Sequence, residues 1–392
     1  MKKYNLTILI FIMIMLFAFT SCSKNPVKDN NQTEENNNNN NNSNNGNDNN
    51  KNEVIDKIEE QALNKLKEMT IEEKVGQLFL VRCPLKDQLD LFMSMNPGGF
   101  ILFGRDFTDK TEENVIDDIK LYQSKSNIPM VIGVDEEGGT VVRASSNRNL
   151  SEYTFKSPQE LYKLGGFEEI YSDTIKKSNF LLNLGINLNL APVADVSVNE
   201  ADFINERSFG ANALQTSKYV KTVVKAMNEA GISSTLKHFP GYGNNVDTHT
   251  GSAVDKRTYE DFVTNDFLPF ESGIKSGTQT ILVSHNIVES MDKEYAASLS
   301  KKVINILRHD LEFKGVIMTD DLSMGAVQQL KNVHEPEVTA VLAGEDMLIV
   351  TDFEKSYNTL LNAVKSKVIS IERIDESVLR ILKWKYATKI IN

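Results

Sequence analysis

The sequence predicts an α/β fold, a parallel eight-stranded (β/α)8 TIM barrel built as a single domain. Short apolar runs bounded by turn residues recur eight times along the body of the chain, helix-period stretches separate them, and polar groups gather where the runs end. At 392 residues and 40% hydrophobic content, the chain can bury the core such a barrel needs. The net charge of −11, without clustered Lys and Arg, excludes a phosphate-tracking surface, so no nucleic acid partner is expected.

Residues 1–21 read as a signal peptide. Met1-Lys2-Lys3 precedes an apolar run at 6–19, which is shorter than the roughly 20 residues of a membrane span. The small residues Thr20-Ser21 before Cys22 resemble the bacterial lipoprotein signal, in which that Cys is lipidated and becomes the mature N-terminus. Phe19 departs from the aliphatic residue usual three places before it. Residues 22–53, Asn-rich with almost nothing apolar to bury, are expected to be a disordered tether. With Cys22 lipidated, Cys83 is the only thiol left, so no internal disulfide is expected, and Cys83 reads as a small core hydrophobe.

The folded domain is expected to span 54–392. It begins with Ile55, Ile58, Ala62, Leu63 and Leu66 at helical spacing among charges. The runs at 78–81, 99–103, 130–134, 186–190, 233–236, 278–283, 315–319 and 347–350 are the expected strands. Stretches at 113–124, 171–184, 216–230, 300–308 and 335–342 are helical in period. An open dinucleotide-binding sheet would want a GxGxxG turn after its first strand, and none is there.

A barrel displays its functional groups where strands end. Asp135, Asp195, the pair Lys237 and His238, His285 and Asp320 follow or close five different strands. The stretch 235–249 is the richest. It carries two of the five histidines, and Pro240, Gly241 and Gly243 punctuate a loop bearing Asp247 and His249. Asp320 is a candidate nucleophile or cation stabiliser, while Asp321 reads as a cap for the helix that follows. Glycoside cleavage usually needs a second proton-transferring group. His249, titrating near neutrality with Asp247 to orient its ring, can serve, although an Asp-x-His on a loop taken alone points more often to a surface position or metal ligation.

The run Lys237-His238-Phe239-Pro240-Gly241-Tyr242-Gly243 with Asp247-Thr248-His249, and the run Thr319-Asp320-Asp321-Leu322-Ser323-Met324, resemble the β-N-acetylhexosaminidases of glycoside hydrolase family 3. Ordered matches extend over nearly the whole folded region: Met69-Thr70-Ile71-Glu72-Glu73-Lys74-Val75-Gly76-Gln77, Val134-Asp135-Glu136-Glu137-Gly138-Gly139, Leu190-Ala191-Pro192-Val193-Ala194-Asp195, Arg207-Ser208-Phe209-Gly210 and Ala343-Gly344-Glu345-Asp346-Met347-Leu348. Tyr242 stands where the family has His or Asp, and Thr248 where it has Ser.

The resemblance implies a retaining mechanism with Asp320 as nucleophile and His249, paired with Asp247, as acid/base. By the same matching Asp135, Arg143, Arg207, Lys237 and His238 bind the hydroxyls of N-acetylglucosamine. His285 reads as a supporting residue. The family's β-glucosidase branch draws its acid/base from a second domain, and none follows Asn392, which favours the hexosaminidase branch. The expectation is a lipid-anchored, extracytoplasmic, monomeric exo-β-N-acetylglucosaminidase acting on peptidoglycan or related aminosugar fragments, without metal or organic cofactor. Two alternatives stand beside it: a metal-dependent barrel hydrolase using His238, Asp247, His249, His285 and Asp320 as ligands, and an aminosugar-binding protein without turnover.

Overall fold

The computed structural model describes residues 45–392 apart from 246, 249, 250, 252 and 331, with only the backbone of 45–52. The expected signal peptide, Cys22 and most of the tether lie outside the described residues, as does His249. Residues 51–392 form one compact unit.

Every expected strand is present. β1 (Phe79–Arg82), β2 (Gly99–Leu102), β3 (Val131–Val134), β4 (Leu188–Asn189), β5 (Ser233–Phe239), β7 (Thr280–Val283), β9 (Val316–Thr319) and β10 (Leu348–Val350) pair in parallel in the order β10-β1-β2-β3-β4-β5-β7-β9. The seam between β9 and β10 is bridged by Met318 and Met347, with the Asp346 and Met347 N–H groups both donating to the Ile317 carbonyl. The sheet thereby closes into the expected barrel. Leu80, Ile101, Val131, Leu188, Leu282 and Met318 fill its interior. The larger core, including Phe79, Phe100, Ile132, Leu236 and Ile317, lies between the strands and the helices around them.

The helices follow local signals. Thr70, Thr111 and Ser157 each form a capping box, with Glu73, Asn114 and Glu160 respectively, satisfying N–H groups that a helix start leaves open. Helix Ala213–Ala230 stops at Gly231, whose φ of +87° is the left-handed conformation a helix end favours.

Three features differ from expectation. β5 continues to Phe239, so Lys237 and His238 lie within it rather than just past its end. Short strands β6 (Val254–Asp255) and β8 (Ile287–Val288) pair above the barrel, tying the loop after β5 to the segment after β7. The C-terminal helix Ile371–Ala387 closes the barrel floor. Its Ile381 and Trp384 join the inner core, and the indole N–H donates to Ser233 Oγ at 3.0 Å. No described helix is long and apolar enough to cross a membrane.

Candidate active site

Strand alternation aims the site. Leu80, Val131 and Met318 point into the barrel, so Arg82, Asp135 and Asp320, two or four residues further on, point the same way at the strands' C-terminal ends. Leu236 packs on the outer core, which turns Lys237 inward. The resulting cavity of about 590 Å³ is lined by Asp320, Asp247, Asp135, Arg143, Arg207, Lys237 and His238. These are all of the expected reaction and sugar-binding residues that are described.

One wall is a chain of alternating charges. Lys237 Nζ donates to Asp135 Oδ1 and lies 2.6 Å from both that oxygen and Glu137 Oε1. Arg207 meets Glu137 side-on, Nη2 to Oε1 at 2.8 Å and Nε to Oε2 at 3.0 Å. Its Nη2 also lies 3.2 Å from His238 Nε2. Asp195 accepts from the His238 backbone N–H at 3.1 Å and lies 2.7 Å from Nδ1. A carboxylate at Nδ1 and a guanidinium at Nε2 select the tautomer that carries its proton on Nδ1, leaving Nε2 as an acceptor for Arg207.

Burial alone would raise the Glu137 carboxyl, but Lys237 and then Arg207 outweigh it and hold the group well below the usual carboxylate range. Lys237 and Arg207 behave reciprocally. Burial disfavours their charge, and the carboxylates beside them more than restore it. Arg207 and Asp135 each have their own partner, and Glu137, which sequence reasoning gave no role, joins them. Its signal was present in the run Asp135-Glu136-Glu137-Gly138-Gly139.

Because Glu137 is ionised in the fold below its ordinary range, it stabilises the protein above that range and the contribution is lost as pH falls. Glu137→Ala should strip Arg207 of its carboxylate partner and leave Lys237 with Asp135 alone, and cost about 3–5 kcal/mol, read as a lowered urea midpoint at pH 7 that converges on wild type in acid.

Neighbouring segments set the remaining walls. Glu136, fully buried, accepts from the backbone N–H groups of Arg143 and Ala144 at 2.8 Å each and from the Ser145 hydroxyl. This pins the loop that carries Arg143, whose Nε is a buried donor without a protein partner at the cavity wall. Gly138, at φ +105°, lets the chain double back there; a Cβ would lie 2.2 Å from the Lys156 carbonyl oxygen. Arg82 also reaches the cavity, over the Phe103 ring at 4.7 Å.

Asp320 accepts from the Asp321 N–H through Oδ1 at 2.8 Å. Asp321 itself does not cap the following helix, Gly325–Gln328, whose N-cap position is Met324. Instead Asp321 Oδ1 accepts from the Ser323 N–H at 2.9 Å and Oδ2 from the Thr351 hydroxyl at 2.7 Å, so it shapes the turn that presents Asp320. His285 supports the same turn. Its Nε2 lies 3.0 Å from the Asp321 carbonyl oxygen and its Nδ1 2.7 Å from Ser298 Oγ.

With both nitrogens of His238 and of His285 facing protein partners, neither imidazole offers a lone pair to a metal. Among the described residues no group of three or more His, Cys, Asp or Glu side chains is arranged to hold a metal ion. Cys83 is buried after β1, and desolvation pushes its thiol up to about 12, which suits the inert core residue expected.

The profile described as the glycosyl hydrolase family 3 N terminal domain matches residues 70–384. The chain is 30% identical over 296 residues to "Beta-hexosaminidase A" of Pseudoalteromonas piscicida, covering 67% of this chain but 48% of that protein. It is 30% identical over 276 residues to "Beta-hexosaminidase" of Actinobacillus pleuropneumoniae serotype 5b, covering 68% and 77% respectively. Among solved structures, a glycoside hydrolase family 3 beta-N-acetylglucosaminidase from Paenibacillus sp. str. FPU-7 aligns with a TM-score of 0.77 and 30% identity, over 82% of this chain and 63% of that one. This chain thus spans about half the length of the first of these relatives.

Proposed function

The chain belongs to glycosyl hydrolase family 3, and on that premise we propose that it is a retaining exo-β-N-acetylglucosaminidase that hydrolyses terminal β-linked N-acetylglucosamine. The observation that carries the reading is the cavity itself, where Asp320 and Asp247 share a barrel mouth with the Asp135-Lys237-Glu137-Arg207-His238-Asp195 chain of charges. Carboxylates and cations fixed by one another form a rigid set of donors and acceptors. Such a set suits the hydroxyls of one sugar ring held above a nucleophile.

In the proposed reaction Asp320 attacks the anomeric carbon while the leaving oxygen takes a proton from His249. The leaving alcohol departs and a glycosyl ester on Asp320 remains. Water, deprotonated by His249, then displaces the carboxylate and restores both groups. Asp247 stabilises the imidazolium form. Asp135, Lys237, His238, Arg207 and Arg143 hold the sugar.

Peptidoglycan or a related aminosugar polymer outside the cytoplasm is the proposed source of substrate, with the chain anchored to the membrane through Cys22 and acting as a monomer. The Lys-Lys start, the apolar run that follows it and the Asn-rich tether support that placement. Using 4-nitrophenyl β-N-acetylglucosaminide against the matching β-glucoside, kcat/KM should favour the acetamido sugar by at least about 100-fold. Equal turnover of both would remove the hexosaminidase assignment, and binding of N-acetylglucosamine without turnover would favour the aminosugar-binding reading.

A further inference from the structure

Tyr242 and Thr248, the two residues at which this chain departs from the pattern it resembles, are hydrogen-bonded to each other, hydroxyl to hydroxyl, in the buried base of the loop after β5. We propose that the Tyr242 hydroxyl is a positioning group for proton transfer: it holds Thr248, and with it the segment bearing the acid/base residues, against the segment bearing Asp320. The inference rests on the glycosidase reading above and adds to it a residue that touches neither the sugar nor the reacting atoms.

Tyr242 is 2% exposed and is fixed from three sides. Its backbone N–H donates to Asp195 Oδ1 at 2.7 Å, the same carboxylate that orients His238. Its ring stands edge-on to the His238 imidazole, 5.2 Å between centroids at 81°, and leans on Phe203 at 5.9 Å. The phenol is therefore anchored to the sugar-binding wall. Burial, and then the charge of Asp320, push its pKa up, so the phenol stays protonated throughout the working pH range.

Thr248 is fully buried and is held at both of its polar ends. Its hydroxyl meets Tyr242, and its carbonyl accepts from the Ala326 N–H at 3.2 Å. Ala326 lies in the short helix just beyond the Asp320-Asp321 turn. One threonine thus links the wall that binds sugar to the turn that presents the nucleophile, and its neighbour Asp247 lines the cavity. Covalent adjacency carries that registration to Asp247.

The two ends of the loop are secured by other groups. Asn245 Nδ2 donates to the Tyr242 carbonyl at 2.8 Å and to Asp255 Oδ2 at 2.7 Å. Arg257 donates to both Asp255 and Asp266 and to the Gly241 carbonyl at 3.1 Å. Asp255 sits in β6, which pairs with β8. Deleting the Tyr242 hydroxyl therefore removes one of the two tethers of Thr248, leaving the Ala326 contact, while the loop's ends and the barrel stay tied.

The test uses the full chain as wild type, Tyr242→Phe, Thr248→Val, the double variant and Thr248→Ser, with phenyl and 2,4-dinitrophenyl β-N-acetylglucosaminides. Departure of phenol requires a proton; departure of dinitrophenol does not. A positioning role predicts that kcat/KM on the phenyl glycoside falls about tenfold in either single variant and no further in the double, while the dinitrophenyl value stays within about twofold. Thr248→Ser, which keeps the hydroxyl, should retain wild-type values on both substrates. Equal losses on both substrates would mean that Tyr242 only packs, no loss on either that the contact is idle, and either result overturns the proposal. If wild type turned over neither glycoside, the glycosidase reading would fall first and this proposal with it.

Discussion

Asp320→Asn is expected to lower kcat on 4-nitrophenyl β-N-acetylglucosaminide by about 10⁴-fold or more, with substrate still binding. The amide keeps the shape of the carboxylate and can still accept from the Asp321 N–H, which lies 2.8 Å from Oδ1. What it loses is the charge and nucleophilicity needed to form the glycosyl ester, so the barrier rises by about 5 kcal/mol. Folding should change little, because the turn is held mainly through Asp321, Ser323, Thr351 and His285. Steady-state kinetics with equilibrium binding of N-acetylglucosamine separates the two effects. Loss of binding in step with loss of turnover would instead make Asp320 a sugar-holding group.

His249→Ala should cost between about 10² and 10⁴ in kcat/KM for a poor leaving group such as phenol, and much less for 2,4-dinitrophenol. The dependence follows from the role. A missing acid penalises the bond that needs a proton and spares the one that does not. Its absence as a base slows the second step on every substrate, so azide, which needs no deprotonation, should raise kcat on the activated glycoside and release the β-glycosyl azide. Asp247→Asn should show the same leaving-group pattern more weakly, since in the proposed mechanism it supports the imidazolium without transferring the proton. A loss independent of leaving group would place proton transfer elsewhere.

Much of this was legible in the sequence because barrels are regular. Short apolar runs such as Val131-Ile132-Gly133-Val134 and Val316-Ile317-Met318-Thr319 are buried on both faces, and each is followed within the next residue by a carboxylate. The position of Asp135 and Asp320 was therefore readable before any coordinates. The partners were not. That Lys237 contacts Asp135 across a sequence separation of 102, and Arg207 contacts Glu137 across 70, depends on which strands become neighbours and how far each loop folds back.

Asp321 shows a different limit. Asp before a helix is a good cap by local rules, but here the chain spends two further residues in a turn first, and its carboxylate is used there. The extension of β5 to Phe239 likewise escapes local pattern, because Lys237 and His238 look like the polar end of a strand until buried partners are supplied from three other segments.

The proposed mechanism stands on a covalent intermediate on Asp320. Retention of configuration alone would not establish it, since a neighbouring acetamido group can also open an N-acetylglucosaminide with retention. The direct measurement is peptide mass mapping after incubation with a fluorinated N-acetylglucosaminyl donor, whose fluorine slows breakdown of the intermediate while a good leaving group keeps its formation fast. One added sugar mass is expected, carried by the peptide containing Asp320 and absent from Asp320→Asn. Donor turnover with no labelled peptide, or a label on a different carboxylate, would contradict it.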